Sequence, residues 1–109
     1  MVMQPVLFRS GWRYLKTIGG SSWWVFPWDT AIRSDGIMAV VASYRTVASA
    51  YIVLITFDDE WIGRFGSYGQ DDDQFTWITS VVFDKAGLLY VADEHSNRIS
   101  VFTIDPEEV

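Results

Sequence analysis

The feature that most constrains this chain is an internal repeat. Residues 61–66 echo residues 14–19 at an offset of 47, residues 75–77 echo residues 26–28 at an offset of 49, and the apolar run after Gly87 echoes the run after Gly36 at an offset of 51. The 109 residues therefore contain two copies of a unit of about 48 residues. A repeated unit of this size buries its apolar faces only against neighbouring units.

Short runs of Val, Ile, Phe, Tyr, Trp and Thr, bounded by Gly, Asp or Asn, predict β-strands along the whole chain. The predicted strands cover residues 6–9, 13–18, 30–33, 37–42, 51–57, 61–65, 79–83, 88–92 and 98–104. No window holds a sustained helical period. Gly36 and Gly87 complete tight turns between strands, because glycine readily adopts the positive φ that such turns require. The sequence thus predicts an all-β fold with structural roles for both glycines.

Several of these strands are apolar on both sides, as in Ile52 to Ile55 and Leu88 to Val91. Both faces of such strands must be covered, as they are when the blades of a β-propeller stack face to face. Half of the residues are apolar and 17% are aromatic, which is more apolar surface than two sheets can hide between them. We therefore expect two four-stranded antiparallel propeller blades, half or a third of a closed propeller that is completed by oligomerisation.

The second unit resembles the NHL repeat of β-propellers. The resemblance rests on the stretches from Phe75 to Asp84, from Gly87 to Asp93 and from Arg98 to Phe102, which have the spacing of the three strands and two turns of that motif. It implies structural roles for Asp93 and Arg98, which would orient the turn and the seam between blades. It also implies blades of four strands, commonly six to a ring.

Both units depart from the NHL pattern at several positions. Ile78, Ser80 and Ser96 stand where the family has Pro, Gly and Asn. The first unit matches less well, with Ser43 at the position of Asp93 and Tyr51 at that of Arg98. The resemblance is therefore strong only after Phe65.

The phase of the repeat predicts how copies of the chain would join. The predicted module has one repeat over about residues 13–65 and a second over about residues 66–109, which lacks its outer strand. Residues 13–18 of another copy would supply that strand and leave no unpaired edge. Such a head-to-tail contact closes into a ring when the rotation fits, and a homotrimer would hold six blades. The alternative is that the chain is a fragment of a longer propeller, and residues 6–9 are expected to be an arm packed elsewhere.

A group of tryptophans forms the first candidate binding site. Trp28 and Trp77 both follow a phenylalanine by two residues, just before a strand predicted to line the propeller channel, and Trp23 and Trp24 precede Trp28 in the same loop. A surface rich in Trp suits a protein or a glycan-like ligand, because indole rings offer apolar area, π faces and one hydrogen-bond donor. The alternative is that these rings wedge between blades.

Two further side chains were weighed for chemistry. Arg33 places a charge in a crowded strand, so we expect it either to pair with an acid of the neighbouring blade or to contact an anion in the channel. His95 is the only histidine and lies in an exposed turn, so a three-histidine metal site on the ring axis is disfavoured. The acidic loop at residues 70–74 lacks the ligand spacing of a calcium site and is predicted to be solvated.

Catalysis has no positive sign in this sequence. We find no Ser, His and Asp arrangement, no phosphate-binding glycine loop and no metal-ligand cluster. The main hypothesis is a non-enzymatic binding or scaffold module without cofactor or metal. The alternatives are a small-ligand lyase or hydrolase at the propeller channel that uses His95 and Arg33, and an accessory chain of a larger complex.

Charge and cysteine content restrict the partners further. The net charge is −6, and the eight Lys and Arg residues are dispersed, which disfavours a nucleic-acid partner because phosphate binding needs a basic stripe. The sequence predicts no membrane span and no signal peptide, so a soluble, cytoplasmic protein is the default expectation. The absence of cysteine excludes disulfides and thiolate chemistry.

Overall fold

The computed structural model describes residues 11–20, 26–44 and 47–108. Within these residues the chain forms no helix, and hence none long and apolar enough to cross a membrane. The strands are β1 (Pro27–Ile32), β2 (Ile37–Tyr44), β3 (Val47–Thr56), β4 (Trp61–Phe65), β5 (Ile78–Phe83), β6 (Leu89–Asp93) and β7 (Arg98–Phe102).

The strands form two antiparallel sheets. The first sheet has four strands in the order β1-β2-β3-β4, and the second has three in the order β5-β6-β7. The predicted all-β class and the missing outer strand of the second sheet are confirmed. Successive strands alternate in direction. Loop 66–77, which precedes β5, and turn 94–97, which follows β6, therefore lie at the same end of the sheets, which we call the upper end. The turns at residues 33–36, 57–60 and 84–87 lie at the lower end.

One predicted strand does not form within the single chain, and another lies outside the described residues. Residues 13–18 have no regular secondary structure, and their backbone joins neither sheet ladder. Residues 6–9 fall in the part of the chain that the structure does not describe. The remaining predicted strands all form, with ends that differ by up to four residues; β1 and β3 begin earlier, and β2 ends later, than predicted.

The two sheets share a bulge at the same place. The pair Pro27 and Ala42 precedes a register shift in the first sheet, and the pair Ile78 and Asp93 precedes one in the second. These pairs are related by an offset of 51 residues, whereas β3 and β7 keep the offset of 47. Strand pairing thus aligns the two sheets residue by residue.

The main core lies between the two sheets. The first sheet contributes Ala39, Val41, Ile52 and Leu54, which are all fully buried. They pack against side chains of the second sheet and of the loop before it, namely Phe75, Ile78, Val81, Leu89 and Val91. Each fully buried aliphatic or aromatic side chain of this size stabilises the fold by about 1.5–3 kcal/mol. The contact between sheets therefore holds the two repeats together.

Aromatic rings extend this core toward the outer strands. The ring centroid of Phe102 lies 5.0 Å from that of Phe65 and 5.9 Å from that of Phe75, and both pairs are tilted. Tilted pairs at such distances are favourable because the positive edge of one ring approaches the negative face of the other. The end of β4 is thereby fixed over the second sheet.

A second cluster lies on the opposite face of the first sheet. Val40, Ala42, Val53 and Ile55 are buried there, and Ile18 packs against them. Two bonds hold this N-terminal segment to the β3–β4 turn: the Lys16 ammonium donates to the carbonyl of Phe57, and the Gly19 N–H donates to the Asp59 carboxylate at 3.0 Å. Residues 16–19 therefore run along the side of the first sheet that faces away from the second.

Candidate functional site

Asp93 organises the upper end of the second sheet. It ends β6 and is buried, and its carboxylate accepts backbone N–H bonds from Thr76 at 2.6 Å, from Trp77 at 3.0 Å and from Ser96 at 3.0 Å. Burial alone would raise the pKa of Asp93, but the bonds from Thr76, Ser96 and Trp77 together place the pKa below its ordinary value. The carboxylate thus joins turn 94–97 to the loop that carries Trp77.

Arg98 binds the acidic loop through its backbone rather than through charge pairing. Its guanidinium donates to the carbonyls of Asp71 at 2.9 Å and Gln74 at 3.2 Å. Among the described residues it forms no ion pair with Asp93, although the two residues are paired across β6 and β7. The two side chains therefore act separately, each on a different part of loop 66–77, and their structural roles stay a prediction.

The acidic loop folds on itself. The side chain of Gln74 accepts a bond from the Asp71 N–H at 3.1 Å and donates to the Ser67 hydroxyl at 3.2 Å. No group of three His, Cys, Asp or Glu residues within the described ranges has the geometry to hold a metal ion. His95 is exposed in turn 94–97 at the upper end.

Trp28 and Trp77 are both exposed at the upper end, but they are not equivalent in the two sheets. Their exposed fractions are 60% and 45%. Strand pairing aligns Pro27 with Ile78, so Trp28 corresponds to Thr79 and Trp77 corresponds to Phe26. The sequence comparison misaligned them because the loop before β5 is two residues longer than the repeat offset suggested.

Trp23 and Trp24 lie outside the described residues. The structure therefore places two of the four tryptophans of the predicted binding face. Binding of a ligand by these side chains stays a prediction.

Arg33 lies at the lower end, away from the tryptophans. Its guanidinium makes two bonds to Asp35, at 3.0 and 2.8 Å, and one to the carbonyl of Ile104 at 2.8 Å. The bonds that Arg33 donates to the Asp35 carboxylate raise the pKa of Arg33 and lower the pKa of Asp35. The acid that pairs with Arg33 thus comes from its own turn and not from the neighbouring sheet, because the side chains of residues 33 and 35 meet across the tight turn.

The lower end contains an open cleft of about 440 Å³ between the turns at residues 33–36 and 84–87. Arg33, Phe83 and the residues around them line this cleft. Gly36 and Gly87 close these turns at φ values of +92° and +89°. A side chain on Gly87 would also approach Arg33 Cδ to 3.3 Å. Arg33 and His95 lie at opposite ends of the sheets, so the structure does not bring together the two residues proposed for a channel enzyme.

The sequence analysis missed the apolar side chains on the two outward sides of the sheet pair. On the second sheet, Val82, Ile99 and Val101 are 58%, 66% and 51% exposed, and we call them the second flank. Adjacent positions on β5 and β7 pair through β6, so these residues share one face. The result is an uncovered apolar stripe.

The first sheet has a matching exposed set on the other side. Trp28, Thr30 and Ile32 of β1 are exposed, and we call them the first flank. Asp29 and Ala31 point toward the second sheet, since the Asp29 carboxylate accepts the Val81 N–H at 2.9 Å and Ala31 packs on the core. Thr30 and Ile32 therefore face away from it.

The repeat itself could have identified both flanks. Ile99 and Val101 correspond to Ile52 and Leu54 at the offset of 47, and those two residues are fully buried between the sheets. Ile32 corresponds to Phe83, which packs on the same core. Equivalent positions are thus buried in one sheet and exposed in the other. The packing of the two sheets shows which member of each pair is exposed.

Comparison with known families identifies the second repeat. Residues 75–102 match the sequence model of the NHL repeat, a range that contains β5, β6, β7 and the turns between them. No curated protein matches the chain significantly. The predicted NHL resemblance is confirmed for this range.

Proposed function

We propose, on the premise that residues 75–102 form an NHL repeat, that this chain is a non-enzymatic β-propeller-like scaffold that assembles head to tail and binds a partner on its upper end. The second flank of one copy packs on the first flank of the next. Three copies would give six sheets, the number that commonly closes a propeller of this kind. One chain is then a single module of two repeats.

The observation that carries this proposal is the mismatch in burial between equivalent positions. Ile52 and Leu54 are covered because a second sheet lies on them, whereas Ile99 and Val101 have no sheet to cover them within one chain. Exposed contiguous apolar stripes mark contact sites in soluble proteins. The repeat geometry would place the first flank of another copy on Ile99 and Val101. Within one chain, Val81 and Phe83, which correspond to Thr30 and Ile32, already pack in the core that contains Ile52 and Leu54.

The test of assembly is the mass of the untagged chain in solution, measured by light scattering coupled to size exclusion. We expect a single species of three times the chain mass of 12.5 kDa. Ile99→Lys should give a monomer, because a charge would be buried in the contact. Ala86→Lys adds the same charge on an exposed turn of the lower end and should keep the mass of the wild type. A monomeric wild type would overturn the proposal, and a polydisperse mass would exclude the closed ring.

The ligand surface is assigned to the upper end around Trp77. In a head-to-tail contact Trp28 lies at the first flank and becomes part of the interface, whereas Trp77 remains accessible at the upper end. Trp23 and Trp24 lie outside the described residues. A partly exposed indole that is positioned by a hydrogen-bonded backbone suits a peptide or a sugar ring.

Binding at the upper end can be tested with an oligosaccharide array and a displayed peptide library. Trp77→Ala should lose the binders that the wild type retains, while its mass in solution stays that of the wild type. Phe57→Ala removes an exposed aromatic side chain at the lower end and is the control. Equal retention by the wild type and Trp77→Ala would exclude Trp77 from the binding surface.

A further inference from the structure

The second sheet has an edge that is ready to accept a strand. In the first sheet, β3 pairs with β2 on one side and with β4 on the other. Its counterpart β7 pairs with β6, and within the described residues no strand lies on its other side. An open edge presents a row of unpaired N–H and C=O groups, which is a template for pairing with another chain.

Residues 14–18 are the repeat counterpart of residues 61–65, which form β4. They are the part of the chain with the sequence of an outer strand and no strand partner in the structure. Their position agrees with this role. At the offset of 47, Ile18 corresponds to Phe65, and Ile55 corresponds to Phe102. Phe65 packs on Phe102, and in the same way Ile18 packs on the cluster that contains Ile55. The segment therefore lies where the outer strand of a preceding sheet would lie.

The chain cannot complete its own second sheet with this segment. Residues 16–19 are bonded to the β3–β4 turn on the outward side of the first sheet. The core between the two sheets separates that side from the outward face of the second sheet. If residues 14–18 pair with the edge of β7, that β7 must therefore belong to another copy.

We infer that residues 14–18 of each copy pair antiparallel with β7 of its neighbour, in the register that β4 has on β3. Transferring that register by 47 residues places Ile18 opposite Ile99, Thr17 opposite Ser100 and Lys16 opposite Val101. The pairing completes the neighbour's NHL repeat as a four-stranded sheet. The inference rests on the proposed head-to-tail assembly and adds its donor strand and its register.

The register has a physical signature that a wrong pairing lacks. It sets Thr17 against Ser100, two hydroxyl side chains of the kind that form favourable cross-strand pairs. A slip by one residue would turn every side chain of the donor strand to the opposite face. Ile18 would then leave the cluster on which it packs.

The absence of native cysteine allows a direct test by disulfide formation. A chain carrying Thr17→Cys is mixed with a chain carrying Ser100→Cys under mild oxidation, and mass spectrometry identifies the joined peptides. We expect the mixed disulfide at about ten times the yield of the control pair Lys16→Cys with Ser100→Cys, because a disulfide needs Cβ atoms about 3.8 Å apart and the control cysteines point to opposite faces. Each single variant is first shown to keep the mass of the wild type.

The outcomes separate this inference from the proposed function. Equal yields from the two pairs, or no mixed disulfide in a sample with trimeric mass, would overturn strand donation and leave the assembly intact. A monomeric wild type would overturn both.

As a second measurement, Lys16→Pro combined with Thr17→Pro removes two adjacent N–H groups, one of which must face the β7 edge. Loss of the trimer is expected, and an unchanged mass would contradict the inference.

Discussion

At the scale of single residues, Asp93 and Arg33 are charged side chains whose hydrogen bonds connect separate segments of the fold. The Asp93 carboxylate accepts three backbone bonds, and Arg33 joins the Asp35 turn to the chain after β7. Both side chains connect segments that are far apart in sequence. We expect these bonds to hold the upper and lower ends of the sheets in place.

Replacing Asp93 by Asn should reduce the free energy of unfolding by about 1–3 kcal/mol, because buried N–H donors lose a charged acceptor. The folded pKa of Asp93 is lowered, so its contribution is present above the unfolded pKa of about 3.9 and is lost as the pH falls through the folded pKa. The difference between the wild type and Asp93→Asn in urea unfolding should therefore shrink below about pH 4. Asp72→Asn is an exposed control with little expected effect. A difference that does not depend on pH would contradict this role for the carboxylate.

At the scale of elements, the chain leaves β4 through Gly66, which sits against the core between the two sheets. Its φ is +98°, and a Cβ there would lie 2.8 Å from Phe75 Cε2 and 3.0 Å from the carbonyl oxygen of Ala50. Its repeat counterpart Gly19 has a φ of +85° with nothing within 4 Å of the same position. The two glycines share a backbone conformation and differ in their surroundings.

This pair gives a matched test of packing at the junction. Gly19→Ala should cost about 1–2 kcal/mol, which is the strain of a left-handed backbone conformation. Gly66→Ala should cost about 1–3 kcal/mol more, because Phe75 must move from a close-packed site. Chemical denaturation of both variants measures the difference. Equal losses would show that the loop before β5 adapts without disturbing the core.

At the scale of the whole molecule, the proposed assembly rests on the two outward flanks and on the edge of β7 that no described strand covers. Assembly removes apolar surface from water and pairs the free edge at the same time. The stability of such a chain should then depend on its concentration, since association stabilises the folded state by mass action.

We expect the apparent Tm of the wild type to rise as the protein concentration is raised over two orders of magnitude. Val101→Lys places a charge in the second flank and should give a lower Tm that does not vary with concentration. Ala86→Lys should behave like the wild type. Differential scanning calorimetry measures all three. A wild-type Tm that is independent of concentration would contradict assembly.

The sequence by itself determined the all-β class, the two repeats and the turns at Gly36 and Gly87, because these follow from local composition and spacing. The NHL character of residues 75–102 rests on the resemblance to that family's motif, which the family model matches over the same range. Tertiary structure decided the rest. Strand pairing moved the equivalent of Trp28 to Thr79, because the loop before β5 is longer than the repeat offset suggested and no local pattern marks the extra residues. Residues 13–18 have the composition of a strand but form none within one chain. A strand forms only where a sheet edge is available to pair with it, and composition does not show where such an edge lies.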